Sequence, residues 1–413
     1  MTTQSRGKQQ TAAAETSDTQ KAEEQGPSKQ PAHQSPFPQR FSKSKPPSAN
    51  KGPNPGELQP FQHPAGAATM ALSDFFSADD IKALQDHGSI SFHAFGDSGT
   101  GSVEQQETID AMARDIDPNH PEQSPAFLLH LGDIIYGSDK HARYANEFYR
   151  PDDNYHNLIF GIPGNHDGEL RSSLDAPSLS AFLENFCQSK GQQPPMAKSF
   201  GRVMANQPGA YWYLNCPFVD IIGLYSNTGE NYGTISHPDI QDNGQQKKWL
   251  IDTLNTVKTK NGQQIRALVI AVHHPLYASG LHESGFGHPG NPDLLADLDD
   301  ACNKIGIWPN IVLSAHTHSY QRYMRKMDIG NPQRVIPYFI AGTGGIGTQN
   351  IPAPIGATSA DGKVRFANAV ESHGFLTVSV SAQTITITFT SNVDTHRSIF
   401  ETVTMDLKTG QQL

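Results

Sequence analysis

The stretch Asn310-Ile311-Val312-Leu313-Ser314-Ala315-His316-Thr317-His318 joins a short apolar run to two histidines spaced two apart. The run is β-branched and stops abruptly, which predicts a buried strand. Just past a strand end the backbone turns, and both imidazoles can face one point. Neutral imidazole is the commonest side-chain ligand of transition metals. Taken alone, the pair reads better as one turn residue and one core histidine, because short motifs match by chance. The remainder of the chain decides between these readings.

The same grammar recurs upstream. Ile90–Phe95 alternates like a strand and runs into Gly96-Asp97-Ser98-Gly99. Ala126–Leu131 is followed by Gly132-Asp133-Ile134-Ile135-Tyr136, and Leu158–Phe160 by Gly161-Ile162-Pro163-Gly164-Asn165-His166-Asp167. Arg266–Val272 ends in His273-His274-Pro275. Five predicted strands thus end in a metal-capable side chain: Asp97, Asp133, Asn165, His273, and the pair His316 and His318. Gly-Asp and Gly-Asn are ordinary turn formers, so one such end means little. Five are a pattern, because ligands of α/β sheets bind beyond the carboxyl ends of the strands. Carboxylates, an amide oxygen and imidazoles without thiolate suit iron, manganese or zinc. They outnumber the ligands of one tetrahedral zinc and fit two metals about 3.5–4 Å apart.

Between these strands, Val103–Ile116, Ala142–Tyr149, Leu179–Cys187, Gln245–Val257 and Pro292–Lys304 carry helical spacing, and Ser73 is placed as the cap of a short first helix. Ala210–Leu214 and Phe218–Leu224 read as a hairpin or two adjacent strands. Phe375–Val380, Thr384–Thr390 and Ile399–Met405 alternate with no helix between them. Strand–helix alternation followed by a strand-only meander predicts a mixed α/β domain whose second sheet comes from the C-terminus.

With 413 residues there is room for a large core. A formal charge of −10 argues against a general nucleic-acid binder. Three dispersed cysteines (Cys187, Cys216, Cys302) suggest neither a disulfide framework nor a Cys-based zinc site. No apolar stretch approaches the roughly 18 residues of a membrane span. Residues 1–68 are rich in Gln, Ser and Pro, and read as a disordered tail that cannot bury enough apolar surface to fold. Residues 1–60 hold eight Lys/Arg against five Asp/Glu, which leaves about −13 on the rest. The first residues lack the h-region of a Sec signal peptide. The expected location is therefore cytoplasmic, or outside by a non-classical route read through the tail.

Taken in order, Gly96-Asp97, Gly132-Asp133-Ile134-Ile135-Tyr136, Gly164-Asn165-His166-Asp167, His273-His274-Pro275 and Ala315-His316-Thr317-His318 resemble the calcineurin-like metallophosphoesterase superfamily. The Gly-Asp-x-x-Tyr element resembles its purple acid phosphatase branch. The likeness runs from about Ser89 to Thr390. It implies an α/β (α+β) fold, a two-sheet β-sandwich flanked by helices, with residues 72–413 as the catalytic domain. It implies two metal ions: iron held by Asp97, Tyr136 and His318, and iron, zinc or manganese held by Asn165, His273 and His316, with Asp133 bridging. A metal-bound hydroxide would attack a small phosphorylated substrate, most readily a phosphomonoester. His166 would face the phosphate, and His282 or His166 would protonate the leaving group. His274 is expected beside His273 without a ligand role. The alternatives are a phosphodiesterase or nucleotide hydrolase at the same site, and a non-catalytic interaction protein using the tail. Three departures are visible. Ala315 stands where a Gly is usual, Ile270 where a Val often leads, and Asp167 where a Glu is common.

Overall fold

A computed structural model gives the fold. It describes residues 37, 61–189, 192–226, 233–236, 244–262, 265–280, 288–393 and 396–413. The expected disordered tail lies outside the described residues up to 60, apart from Phe37. Residues 61–71 already pack against the domain, ahead of the expected start at Leu72: Phe61 meets Tyr225 edge-on at 5.0 Å, and Trp249 Nε1 donates to the Ala67 carbonyl at 2.9 Å.

The strands are β1 (Thr69–Ala71), β2 (Ser89–Phe95), β3 (Pro125–His130), β4 (Leu158–Gly161), β5 (Trp212–Asn215), β6 (Val219–Leu224), β7 (Ala267–Val272), β8 (Ile311–Ser314), β9 (Tyr320–Lys326), β10 (Val335–Ala341), β11 (Val364–Val370), β12 (Gly374–Ser381), β13 (Thr384–Val393) and β14 (His396–Asp406). They form two sheets. The larger runs β1-β5-β6-β7-β8-β10-β9-β11 and the smaller β14-β13-β12-β2-β3-β4. In the larger sheet β6, β7, β8 and β10 are parallel. In the smaller sheet β2, β3 and β4 are parallel, and the C-terminal meander joins them antiparallel through Leu376 opposite Ala94. The C-terminal strands therefore complete the first sheet and do not build a second one, which corrects the expectation from their spacing.

The layering follows from side-chain alternation. Phe92, Leu129 and Phe160 of one sheet and Ile221, Val269, Leu313 and Phe339 of the other share the central core. The outer face of the larger sheet is covered by the helices Gln245–Asn261 and Pro292–Ile305, through Leu250, Leu254, Leu294 and Leu298. The outer face of the smaller sheet is covered by the helices Val103–Ala113 and Ser180–Phe186, through Ile109, Met112, Phe182 and Phe186. Buried on both faces, β7 can be apolar at all six positions. Each such Leu, Ile or Phe contributes about 1.5–3 kcal/mol on burial. The result is a helix–sheet–sheet–helix sandwich, as the family resemblance implies.

Helix ends obey local chemistry. The first helix, Ala78–His87, is capped by Ser77, whose hydroxyl accepts from the Asp80 amide, rather than by Ser73, which sits in a short 3-10 turn. Asn291 caps Pro292–Ile305 by accepting from the amides of Asp293 and Leu294. The helix expected over Ala142–Tyr149 is an α-turn at Lys140–Tyr144 continued by a π-turn at Ala145–Tyr149. Among the described residues no helix is long and apolar enough to cross a membrane.

Candidate metal centre

The parallel strands of both sheets deliver their carboxyl ends to one place, and backbone bonds knit those ends together. The Asp97 amide donates to the Gly132 carbonyl at 3.0 Å, Gly96 to Ala341 at 2.8 Å, and Ala315 to His273 at 2.9 Å. Three site residues adopt left-handed backbone: Asp97 (φ 60°), Asp133 (φ 53°) and His316 (φ 67°). Such strain costs about 1 kcal/mol or more per residue and persists only where surrounding contacts over-determine it. At Gly164 an added Cβ would lie 2.1 Å from Asp133 Oδ1, so this position must be glycine. The methyl of Ala315 is accommodated because its neighbour is Gly96, where a Cβ would come within 2.5 Å of it.

Asp133, His273 and His316 are buried, with ligand atoms all within 4.8 Å of one another. The ring of His273 is fixed by its Nδ1, 2.8 Å from the Leu131 carbonyl, so Nε2 faces inward. That Nε2 lies 3.1 Å from Asn165 Oδ1 and 3.3 Å from Asp133 Oδ2. Among the described residues neither Asp133 Oδ2 nor Asn165 Nδ2 makes a hydrogen bond, though both are buried. A buried carboxylate oxygen without a donor is costly, and a cation would satisfy it. Burial alone would lower the pKa of His273, yet Asp133 holds it up to about 9. Burial opposes ionisation of Asp133, but His273 and His166 outweigh it and hold the carboxyl well below its usual range. His273 Nε2 and Asp133 Oδ2 thus attract one another across 3.3 Å, and a cation between them would take over that attraction.

A second group surrounds Asp97, which is fully buried. Its Oδ1 accepts from the Tyr136 hydroxyl at 3.1 Å and lies 3.5 Å from His318 Nε2. Its Oδ2 accepts from the His316 amide at 2.8 Å. Burial, then the charge of Asp97, pushes the Tyr136 phenol well above its usual pKa. His316 connects the two groups, with its backbone on Asp97 and its ring beside Asp133 and His273. That ring lies between His274 (4.4 Å) and His288 (4.2 Å, nearly parallel). His274 lies edge-on to His273 at 5.3 Å, and its Nδ1 meets Ser226 Oγ at 2.9 Å.

The seven metal-ligand candidates and His166 therefore come together, while His282 lies outside the described residues. Asp167 accepts from the amides of Ile134, Ile135 and Gly164, at 3.1, 3.1 and 2.8 Å. It braces the turn that aims Asp133. Four contributors escape the motif reading. Glu169 Oε1 lies 2.7 Å from His166 Nδ1 and accepts from Arg171 Nε. The signal was the three-residue spacing from His166 within one turn. His288 Nδ1 lies 2.7 Å from the His316 carbonyl. Ser98 Oγ lies 2.7 Å from His130 Nε2, and burial pushes the His130 pKa down to about 3, so this buried pair is neutral bracing between the loop after β2 and the end of β3.

The donor set fits transition metals. In comparison with known proteins, residues 90–320 match the family model described as calcineurin-like phosphoesterase. Among solved structures the chain is similar to GAP50, the anchor in the inner membrane complex of Plasmodium, at 13% identity over 76% of this chain and 87% of that one, with a TM-score of 0.51. It is also similar to a dimetal phosphatase from Danio rerio, at 14% identity over 77% and 99%, with a TM-score of 0.45. No curated protein matches. The family match covers more than half of the chain, and the chain belongs to the calcineurin-like phosphoesterase family.

Proposed function

We propose that this protein hydrolyses phosphoesters, phosphomonoesters foremost, at a two-metal centre. Asp97, Tyr136 and His318 would hold one ion, Asn165, His273 and His316 the other, with Asp133 between them. When bound, the two cations supply neutralisation of phosphate charge and an acidic water near phosphorus. The carrying observation is the buried Asp133 Oδ2, without a hydrogen bond among the described residues and 3.3 Å from His273 Nε2.

The chain's own residues do the rest. Backbone strain at Asp97, Asp133 and His316 fixes the donors before any ligand arrives, so little reorganisation remains. The Tyr136 hydroxyl lies on Asp97 Oδ1 at 3.1 Å, so a cation held by Asp97 would also meet this oxygen; iron, which can bind it as tyrosinate, is the ion proposed for this side, as in a purple acid phosphatase. The second ion would be iron, zinc or manganese. Glu169 holds His166 Nδ1 and leaves its Nε2 on the Asp133 side, 4.0 Å from Oδ2. There it can protonate the leaving oxygen, and His282 is the other candidate. The catalytic domain is assigned to residues 72–413, with 61–71 packed against it.

The test compares para-nitrophenyl phosphate with bis(para-nitrophenyl) phosphate, using metal-replete protein and Asp133→Asn. Faster turnover of the monoester, lost in the variant, supports the reading. A diester preference assigns the site to phosphodiesters, and turnover of neither ester refutes a hydrolase.

A further inference from the structure

Beyond Met1, residues 1–60 contain three large apolar side chains: Phe37, Phe41 and Leu58. Phe37 is flanked by Pro36 and Pro38. Proline fixes φ near −65° and favours an extended, stiffened chain. A segment stiffened in this way loses less entropy when it docks.

Phe37 does have a seat. Its ring meets Tyr323 edge-on, with centroids 6.4 Å apart and planes at 79°, a favourable aromatic geometry. It packs against the apolar cluster on the outer face of the larger sheet. Tyr323 stacks on Phe366 at 4.8 Å and on Tyr277 at 5.7 Å, and Tyr277 meets Tyr338 edge-on at 4.9 Å. These four rings come from β9, β10, β11 and the segment after His273, and all are buried. Such a bed is rigid, because each ring is held by its neighbours. It also lies directly behind the site. The Tyr323 hydroxyl donates to Gln321 Oε1 at 3.0 Å. Gln321 bridges Ser279 and Ser319, donating to the Ser279 carbonyl at 2.7 Å and to Ser319 Oγ at 2.9 Å. Ser319 follows His318 in the chain.

We propose that Phe37 is an intramolecular docking residue. The Phe37 ring seats on Tyr323 and fixes that point of the chain to the outer face of the larger sheet. This is independent of the reaction catalysed.

The test uses the full chain with 4-fluorophenylalanine at position 37 and fluorine NMR in native buffer. The expected resonance is displaced from its value in urea, shows an Overhauser contact to tyrosine ring protons, and is shielded from a soluble paramagnetic agent. A resonance at the unfolded value, fully broadened by the agent and without a tyrosine contact, overturns the proposal. The label adds one fluorine to a half-buried ring, so the outcome does not depend on a destabilised variant.

Discussion

Replacing Asp167 by asparagine removes the carboxylate that steers the Asp133 turn while leaving every candidate ligand in place. Asp167 Oδ1 accepts from the amides of Ile134 and Ile135, and Oδ2 from Gly164 at 2.8 Å. Asparagine offers one acceptor oxygen. With that oxygen kept on Ile134 and Ile135, the new NH2 opposes the Gly164 amide, donor against donor. One hydrogen bond to a charged group is lost, worth about 1.5–3 kcal/mol, and a buried N–H is stranded. Burial and then the Asp133 charge push the Asp167 pKa up to about 7, so the neutral amide escapes a cost that the carboxylate bears. The net loss of stability should be about 1–2 kcal/mol. The larger effect falls on metal binding, because Asp133 holds a φ of 53° only while its turn is braced. Loss of such an outer partner weakens metal affinity about 10–100-fold, equal to about 1.4–2.7 kcal/mol. Chelator competition read by elemental analysis measures it. Wild-type affinity in a folded Asp167→Asn protein would refute the idea that this carboxylate sets the geometry of Asp133.

Other consequences follow from the same structure. Glu169→Leu should leave metal content unchanged and lower kcat about tenfold, since His166 loses its orienting partner; an unchanged kcat in steady-state assays would remove Glu169 and His166 from the reaction. Asp152 is buried with neither carboxyl oxygen hydrogen-bonded among the described residues, and burial pushes its pKa up to about 7 against the pull of Arg202. A raised carboxyl pKa favours the folded state at low pH, so this contribution is lost as pH rises from about 4 through about 7, at up to roughly 1.4 kcal/mol per pH unit. Urea unfolding across that window should show Asp152→Asn flattening the decline and gaining stability at pH 8; parallel pH curves for the two proteins would contradict it.

Much of this was legible because the site chemistry sits at strand ends. β2, β3, β4, β7 and β8 each end within four residues of a polar, metal-capable side chain, namely Asp97, Asp133, Asn165, His273 and His316. The alternation of strand and helix gave a mixed α/β domain, and the family resemblance implied its two-sheet layering. What stayed hidden has a physical reason. β9 (Tyr320–Lys326) reads as polar, since Gln321 and Arg322 interrupt its pattern, yet both are buried. Gln321 is satisfied by Ser279 and Ser319, and Arg322 by Glu401 of β14. Distant partners of this kind leave no local trace. The meander's sheet was misassigned because alternation reveals a strand but not its neighbour. Its pairing with β2 depends on the central core shared by both sheets. Asp167 was visible as a departure from the family pattern, but its three amide bonds appear only when the loops after β3 and β4 are brought together.

The central claim is that Asp133 joins two ions in one buried centre. Elemental analysis of the native protein beside Asp133→Asn, with the visible spectrum of the same samples, tests it most directly. Two transition-metal ions per chain are expected, iron among them with a broad tyrosinate absorption in the green, and the variant is expected to lose most metal and colour. A single zinc per chain, or a variant that keeps both ions, would contradict it.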